Sequence, residues 1–270
     1  MDGVSERPSR GAWRLGHRAL SDLSDLLMPL TCGGCGRTGT RMCTSCTHFL
    51  AGPVRHAAPD PAPPDLPPVW AAAPYDGPAR AAVLALKERQ RHDLGPGLGA
   101  ALARTVAVAA SGASVVWLVP IPTHLRVARA RGGCHVSLVA RHALTSLRAH
   151  GLRAEVARLL RVSGSRPDFA GLSAEQRARA VDSAFAVTSA GRSQLRAATA
   201  DALPHLVLVD DVVTTGATLA AAGRALRGVA ESHDMRVSCA VVTATMRRPQ
   251  ARRRDSHSDV TPRRVPDRPS

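Results

Sequence analysis

Residues 206–219 read LVLVDDVVTTGATL: an apolar run, two adjacent carboxylates, then hydroxyls around a glycine. No other stretch restricts the fold as much. An apolar run without polar alternation suits a strand covered on both faces, as in a parallel sheet flanked by helices. Two neighbouring acids repel each other and resist burial, so a strand that ends on them has a use for them outside the chain. Thr214–Thr218 reads as a turn leading into a helix, and the free N–H groups and hydroxyls of such a turn cradle an anion. Gly216 lets the backbone approach that anion closely. Asp210 and Asp211, one short turn away, cannot be there to bind it. They are placed to accept hydrogen bonds from sugar hydroxyls or to meet a divalent cation. Phosphate, diol and metal together indicate a ribose 5-phosphate carrying a further phosphorylated group. A Walker-type nucleotide site is excluded, because no G-K-[ST] follows a glycine-rich loop anywhere.

The surrounding sequence supplies the rest of an α/β pattern. Strands are expected at 69–75, 115–121, 206–210 and 237–243, and helices at 78–91, 98–110, 133–150 and 218–229. Alternation of this kind predicts a parallel sheet whose ligands sit at the carboxyl ends of the strands. Both V-P-I-P-T (residues 119–123) and the acid–threonine segment lie at such ends.

Upstream, the pattern is different. Residues 1–14 are expected to be disordered, and leucines at helical spacing predict a short amphipathic helix over 15–28. The segment CGGCGRTGTRMCTSC then sets Cys32 and Cys35 as one C-x-x-C pair and Cys43 and Cys46 as another. Two such pairs close a tetrahedral thiolate shell, which Zn²⁺ prefers, and the site would be structural. The same four thiolates could hold an iron–sulfur cluster; a redox role lacks the thioredoxin-like context it needs. Helix and cysteine element together span residues 15–51. Residues 52–68 are proline-rich and read as an extended linker, residues 69–246 as the main domain and residues 247–270 as a basic disordered tail.

Composition adds bounds rather than chemistry. Apolar residues make up 44% and aromatics 3%, so the core must be built from Ala, Val and Leu. The net charge is +15, nearly all of it from arginine, and Lys87 is the single lysine. Such a balance favours a phosphate-bearing partner, nucleic acid or a phosphorylated small molecule, although base usage alone also yields an Ala- and Arg-rich chain. No segment has the apolar length of a membrane span, and the N-terminus lacks the apolar core of a signal peptide. The expectation is a cytoplasmic protein without membrane insertion, with its cysteines reduced.

VLVDDVVTTGAT resembles the phosphoribosyl pyrophosphate (PRPP) motif of type I phosphoribosyltransferases. The four-cysteine element, the proline-rich segment, ALKERQR, VPIPTHLRVARARGG and LLRVSGSRPDFAGLSAEQRARAVDSAF narrow the resemblance to the ComF/GntX family, over roughly residues 20–246. The resemblance implies a type I phosphoribosyltransferase-like parallel sheet preceded by a small four-cysteine zinc-binding element. It implies that Asp210 and Asp211 hold the ribose hydroxyls and that Thr214, Thr215, Gly216, Ala217 and Thr218 wrap the 5′-phosphate. Pro120, Ile121 and Pro122 fall in the family's pyrophosphate loop, followed by Arg126, Arg129 and Arg131, and Lys87 falls in a family lysine position. Mg²⁺ would bridge diol and pyrophosphate, and the implied reaction displaces pyrophosphate from C1 of the ribose by a nitrogen nucleophile. The chain departs from the family pattern at Gly133, Cys134, Phe169 and Ala180 while retaining Arg177, which leaves the PRPP half intact and puts the acceptor half in doubt. The same resemblance carries a second class of function, a competence protein acting with single-stranded DNA and a DNA-uptake helicase. The scarcity of aromatics offers that reading little stacking surface.

Overall fold

The computed structural model describes residues 30–123, 134–163, 184–198 and 203–245. The expected helix over 15–28 and the basic tail lie outside these residues, as do Arg126, Arg129, Arg131, Gly133, Phe169, Arg177 and Ala180.

The chain is an α/β protein. Helix α1 (Thr44–Leu50) follows the cysteine element, and β1 (Arg55–His56) and β2 (Val69–Pro74) lead to α2 (Gly77–Glu88). A 3₁₀ turn, His92–Leu94, precedes α3 (Gly95–Ala109), β3 (Val115–Pro120), α4 (His135–Ala149) and β4 (Arg153–Val156). Then come β5 (Leu160–Val162), β6 (Phe185–Val187), α5 (Ser189–Ala197), β7 (His205–Val213), α6 (Ala217–Glu231) and β8 (Val237–Ala244). Six strands form one sheet in the order β1-β2-β8-β7-β3-β4, parallel except for β1, while β5 and β6 pair antiparallel by themselves.

Alternate residues of the central strands feed two cores. Val207 and Val209 of β7 pack with Leu86, Leu98, Leu102, Val139 and Leu147, so α2, α3 and α4 cover one face. Leu206 and Leu208 pack with Leu195, Leu219 and Leu226, so α5 and α6 cover the other. Burying side chains of this size contributes about 1.5–3 kcal/mol each before the entropy cost. Alanine fills the gaps where strands and helices run close, among them Ala220, Ala221 and Ala222, all 0% exposed.

The chain turns outward in opposite senses from β3 and β7. From β3 it passes through α4 to the edge strand β4; from β7 it passes through α6, on the other face, to β8. The carboxyl ends of β3 and β7 therefore meet where the strand order reverses, the position at which open α/β sheets bind ligands.

The proline-rich segment follows a fixed course. His56 and Arg55 pair with Trp70 and Ala71 on the sheet edge. Farther on, Arg227 Nη1 of α6 contacts Asp65 Oδ1 at 2.7 Å. A Cβ on Gly223 would lie 2.8 Å from Pro67, which shows how closely the segment lies on α6. Among the described residues, no helix is long and apolar enough to cross a membrane.

Candidate functional site

Strand β7 runs three residues beyond the expected LVLVD, because Val212 and Val213 remain in register with Thr243 and Ala244 of the long neighbour β8. Asp210 and Asp211 are thus strand residues and point to opposite faces. Ile121 N–H donates to Val209 O at 3.0 Å, one residue before the acid pair. This bond sets Pro120, Ile121 and Pro122 beside the acids.

The two acids have contrasting surroundings. Asp211 is 2% exposed, with Lys87 Nζ 2.7 Å from Oδ1 and His135 Nε2 2.7 Å from Oδ2. Burial by itself would raise its carboxyl, but the His135 contact and the Lys87 charge hold it below the usual carboxylate range. Asp210 is half-buried, and its Oδ1 accepts only the N–H of Asp211, at 2.8 Å. No basic side chain pairs with it among the described residues. Burial, then the neighbouring Asp211 charge, pushes the Asp210 carboxyl up to about 8.

That contrast sets a pH dependence. A folded-state value raised from 3.8 to about 8 favours folding fully below the ordinary carboxylate range, and the advantage disappears as pH climbs through 8. Asp210→Asn removes the ionisation. The melting temperature of the variant relative to wild type is expected to increase steadily between about pH 5 and pH 9. A difference that stays constant over that range would contradict the burial of Asp210.

The loop after the strand is open where an anion would need it. Thr214, Thr215 and Thr218 are exposed, Ala217 is half-buried, and no side chain caps α6. Thr215 Oγ1 lies 3.5 Å from Ala217 N, at the limit of a hydrogen bond. Gly216 has φ 75°, which glycine alone adopts without strain. An added Cβ there would stand 3.0 Å from Pro59 and 3.1 Å from Leu66. The proline-rich segment is therefore a wall of this site. Between the segment His56–Pro64 and Thr214, Thr215, Ala217 and Thr245 lies a cavity of about 770 Å³, a size that accommodates a small ligand.

Of the residues expected from sequence, Asp210, Asp211, Lys87 and Pro120–Pro122 converge, and Thr214–Thr218 lines the adjoining turn. His135 was missed as a site residue. Its only signal was its place beside Cys134 at the start of an amphipathic helix.

The four cysteines form a second centre. Their sulfurs all lie within 4.8 Å of one another, and Cys32, Cys43 and Cys46 are buried. Burial raises the Cys32 thiol, but backbone N–H groups of Cys43, Cys35 and Gly34 bring it down to about 6. Burial and the other thiols push Cys46 up, since four adjacent sulfurs cannot all ionise without a cation among them. The cluster could bind a metal such as zinc. It is also fastened to the main domain: Arg91 Nη2 donates to Thr31 O at 2.8 Å, and Gly33 abuts Leu94 so closely that a Cβ would meet its side chain at 2.5 Å.

No family model and no curated protein matches this chain.

Proposed function

We propose that this protein binds PRPP with Mg²⁺ and transfers its 5-phosphoribosyl group to a nitrogen acceptor, as a type I phosphoribosyltransferase-like member of the ComF/GntX family. The observation that carries the reading is the convergence, at the carboxyl ends of β3 and β7, of the V-P-I-P-T segment, the acid pair and the uncapped threonine turn. An anion cradle and a carboxylate without a counter-ion among the described residues, side by side, fit a phosphorylated sugar that brings a divalent cation with it.

In this reading Thr214, Thr215, Thr218 and the N–H groups opening α6 hold the 5′-phosphate. The acid pair stands at the ribose, and the pyrophosphate falls to Ile121 and Pro122 and, by the family resemblance, to Arg126 and Arg131. The acceptor nitrogen forms a bond to C1 as the C1–O bond to pyrophosphate breaks, and the leaving group departs with the electron pair. The half-buried Asp210, which pairs with no cation among the described residues, would hold Mg²⁺, and that ion would supply charge neutralisation at the leaving group. Loop amides and guanidinium groups stabilise the same developing charge. Zn²⁺ at the four cysteines serves structure only. A single-stranded DNA partner finds little stacking surface among the described residues, where Val108 is the one exposed large apolar side chain.

Titration of PRPP with Mg²⁺ against thermal stability tests the assignment. Saturating ligand at about a hundred times Kd adds about 2.7 kcal/mol, a shift of several degrees, which Asp210→Asn is expected to abolish. An unshifted wild type at millimolar PRPP would refute the reading.

A further inference from the structure

The two acids look equivalent in sequence and are not equivalent in the fold. Asp211 has a basic side chain against each oxygen: Lys87 Nζ lies 2.7 Å from Oδ1, from the last turn of α2, and His135 Nε2 lies 2.7 Å from Oδ2, from the first residue of α4, although the imidazole is not aligned for a hydrogen bond to Oδ2. Its backbone oxygen also accepts from Thr243 Oγ1 of β8 at 3.0 Å. Asp211 thus ties two helices and two strands together at the point where β3 and β7 meet. Asp210 keeps one carboxylate oxygen without any hydrogen bond among the described residues, on a side chain that remains partly open to solvent.

Lys87 strengthens the contrast. Every other basic side chain, histidine apart, is an arginine, yet the one lysine is 20% exposed and sits on Asp211. A compact ammonium on a flexible stem makes a point contact with one oxygen, whereas a guanidinium fork would claim both and displace His135. The site has been given the cation that leaves room for the imidazole.

We infer that Asp211 is an internal anchor, that Lys87 and His135 are positioning residues acting through it, and that Asp210 alone of the pair meets the ribose hydroxyls or the accompanying cation. The assignment rests on the sugar-phosphate reading above and divides the labour within it. It places Lys87 beneath the site rather than against the ligand.

Isothermal titration tests this with PRPP and Mg²⁺, and with ribose 5-phosphate as a second probe that lacks the pyrophosphate. Circular dichroism at the titration temperature confirms that each variant is folded. Asp210→Asn is expected to weaken PRPP by about a hundredfold or more. Lys87→Met, His135→Phe and Asp211→Asn should each cost about tenfold, for both probes alike. The doubles Lys87→Met/Asp211→Asn and His135→Phe/Asp211→Asn should be no weaker than the worse single, because each pair acts as one unit. Lys87→Arg, which keeps the charge but not the shape, should recover only part of the loss. If the losses multiply in the doubles, Lys87 or His135 touches the ligand itself, and the assignment is overturned. It is equally overturned if Asp211→Asn matches Asp210→Asn while Lys87→Met is silent, or if Lys87→Met weakens PRPP but not ribose 5-phosphate. A wild type that binds neither probe removes the sugar-phosphate reading, and the positioning role with it.

Discussion

Stripping the metal from the four-cysteine centre is expected to lower the melting temperature of the whole chain by about 10 °C or more, with the same result for Cys46→Ser. Binding free energies for structural zinc in small peptides are about 10–16 kcal/mol, so even a third of that is several kcal/mol. For a chain of this size each kcal/mol corresponds to about 2–4 °C. The loss should reach the main domain because the element is built into it. Cys46 is 2% exposed within α1, and Leu50 of the same helix belongs to the core beneath α2 and α3. Arg104 of α3 donates to Gly52 O at 2.6 Å and to Leu50 O at 3.3 Å, so α1 is held at its far end too. The element touches both ends of α2: a Cβ on Gly34 would lie 3.1 Å from Pro78 in its first turn, and Arg91, just past its end, binds Thr31. Helix α2 carries Lys87, so losing the metal should weaken PRPP binding as well as stability. Metal analysis of protein purified without chelator should give one zinc ion per chain. Less than that, or a melting temperature that EDTA leaves within about 2 °C, would show that the four thiols hold no structural metal.

The parts of this fold that were legible in sequence are those in which one local signal sufficed. The continuous apolar runs of β3, β7 and β8 and the helical periodicity of α2, α3, α4 and α6 lie within a few residues of their expected positions. Helix α2 stops at Glu88, short of the expected 91, and Gln90 adopts φ 52°, a left-handed turn no periodicity announces. The short elements β4, β5, β6 and α5 carry too few residues to show a period, and β5 and β6 pair although a long stretch of sequence separates them. The proline-rich segment has the composition of a linker, yet its prolines bear on Gly216 and Gly223, residues more than 150 positions away. Composition reports the stiffness of such a segment and says nothing about what lies beneath it.

The candidate site divides in the same way. The acid pair, the threonine turn and the paired cysteines are contiguous patterns whose chemistry follows from spacing. The partners of Asp211 are not contiguous: Lys87 and His135 come from separate helices, and only the packing of α2 and α4 on one face of the sheet brings them together. Sequence could mark Lys87 as unusual, being the one lysine, but could not name its partner.

Asp211→Ala is accordingly expected to destabilise the protein by about 3–5 kcal/mol, the usual cost of removing one member of a buried charge cluster. The loss is not simply that of two contacts. Lys87, four-fifths buried, and His135, 7% exposed, were brought into the interior against a counter-charge that the variant lacks. Their desolvation then goes uncompensated, and burial makes that worse. The size of the effect therefore depends on what else is changed. Lys87→Met/Asp211→Ala removes both the anion and its nearest cation, and apolar replacement of a buried pair is often close to neutral. The double variant should melt above Asp211→Ala alone although it lacks one more native group. Chemical denaturation of wild type, both singles and the double supplies the comparison. A double variant less stable than either single would mean that Lys87 and Asp211 contribute independently. An Asp211→Ala protein within about 0.5 kcal/mol of wild type would mean that water or another anion reaches Lys87 and His135. Either result would dissolve the buried cluster on which the division between the two aspartates depends.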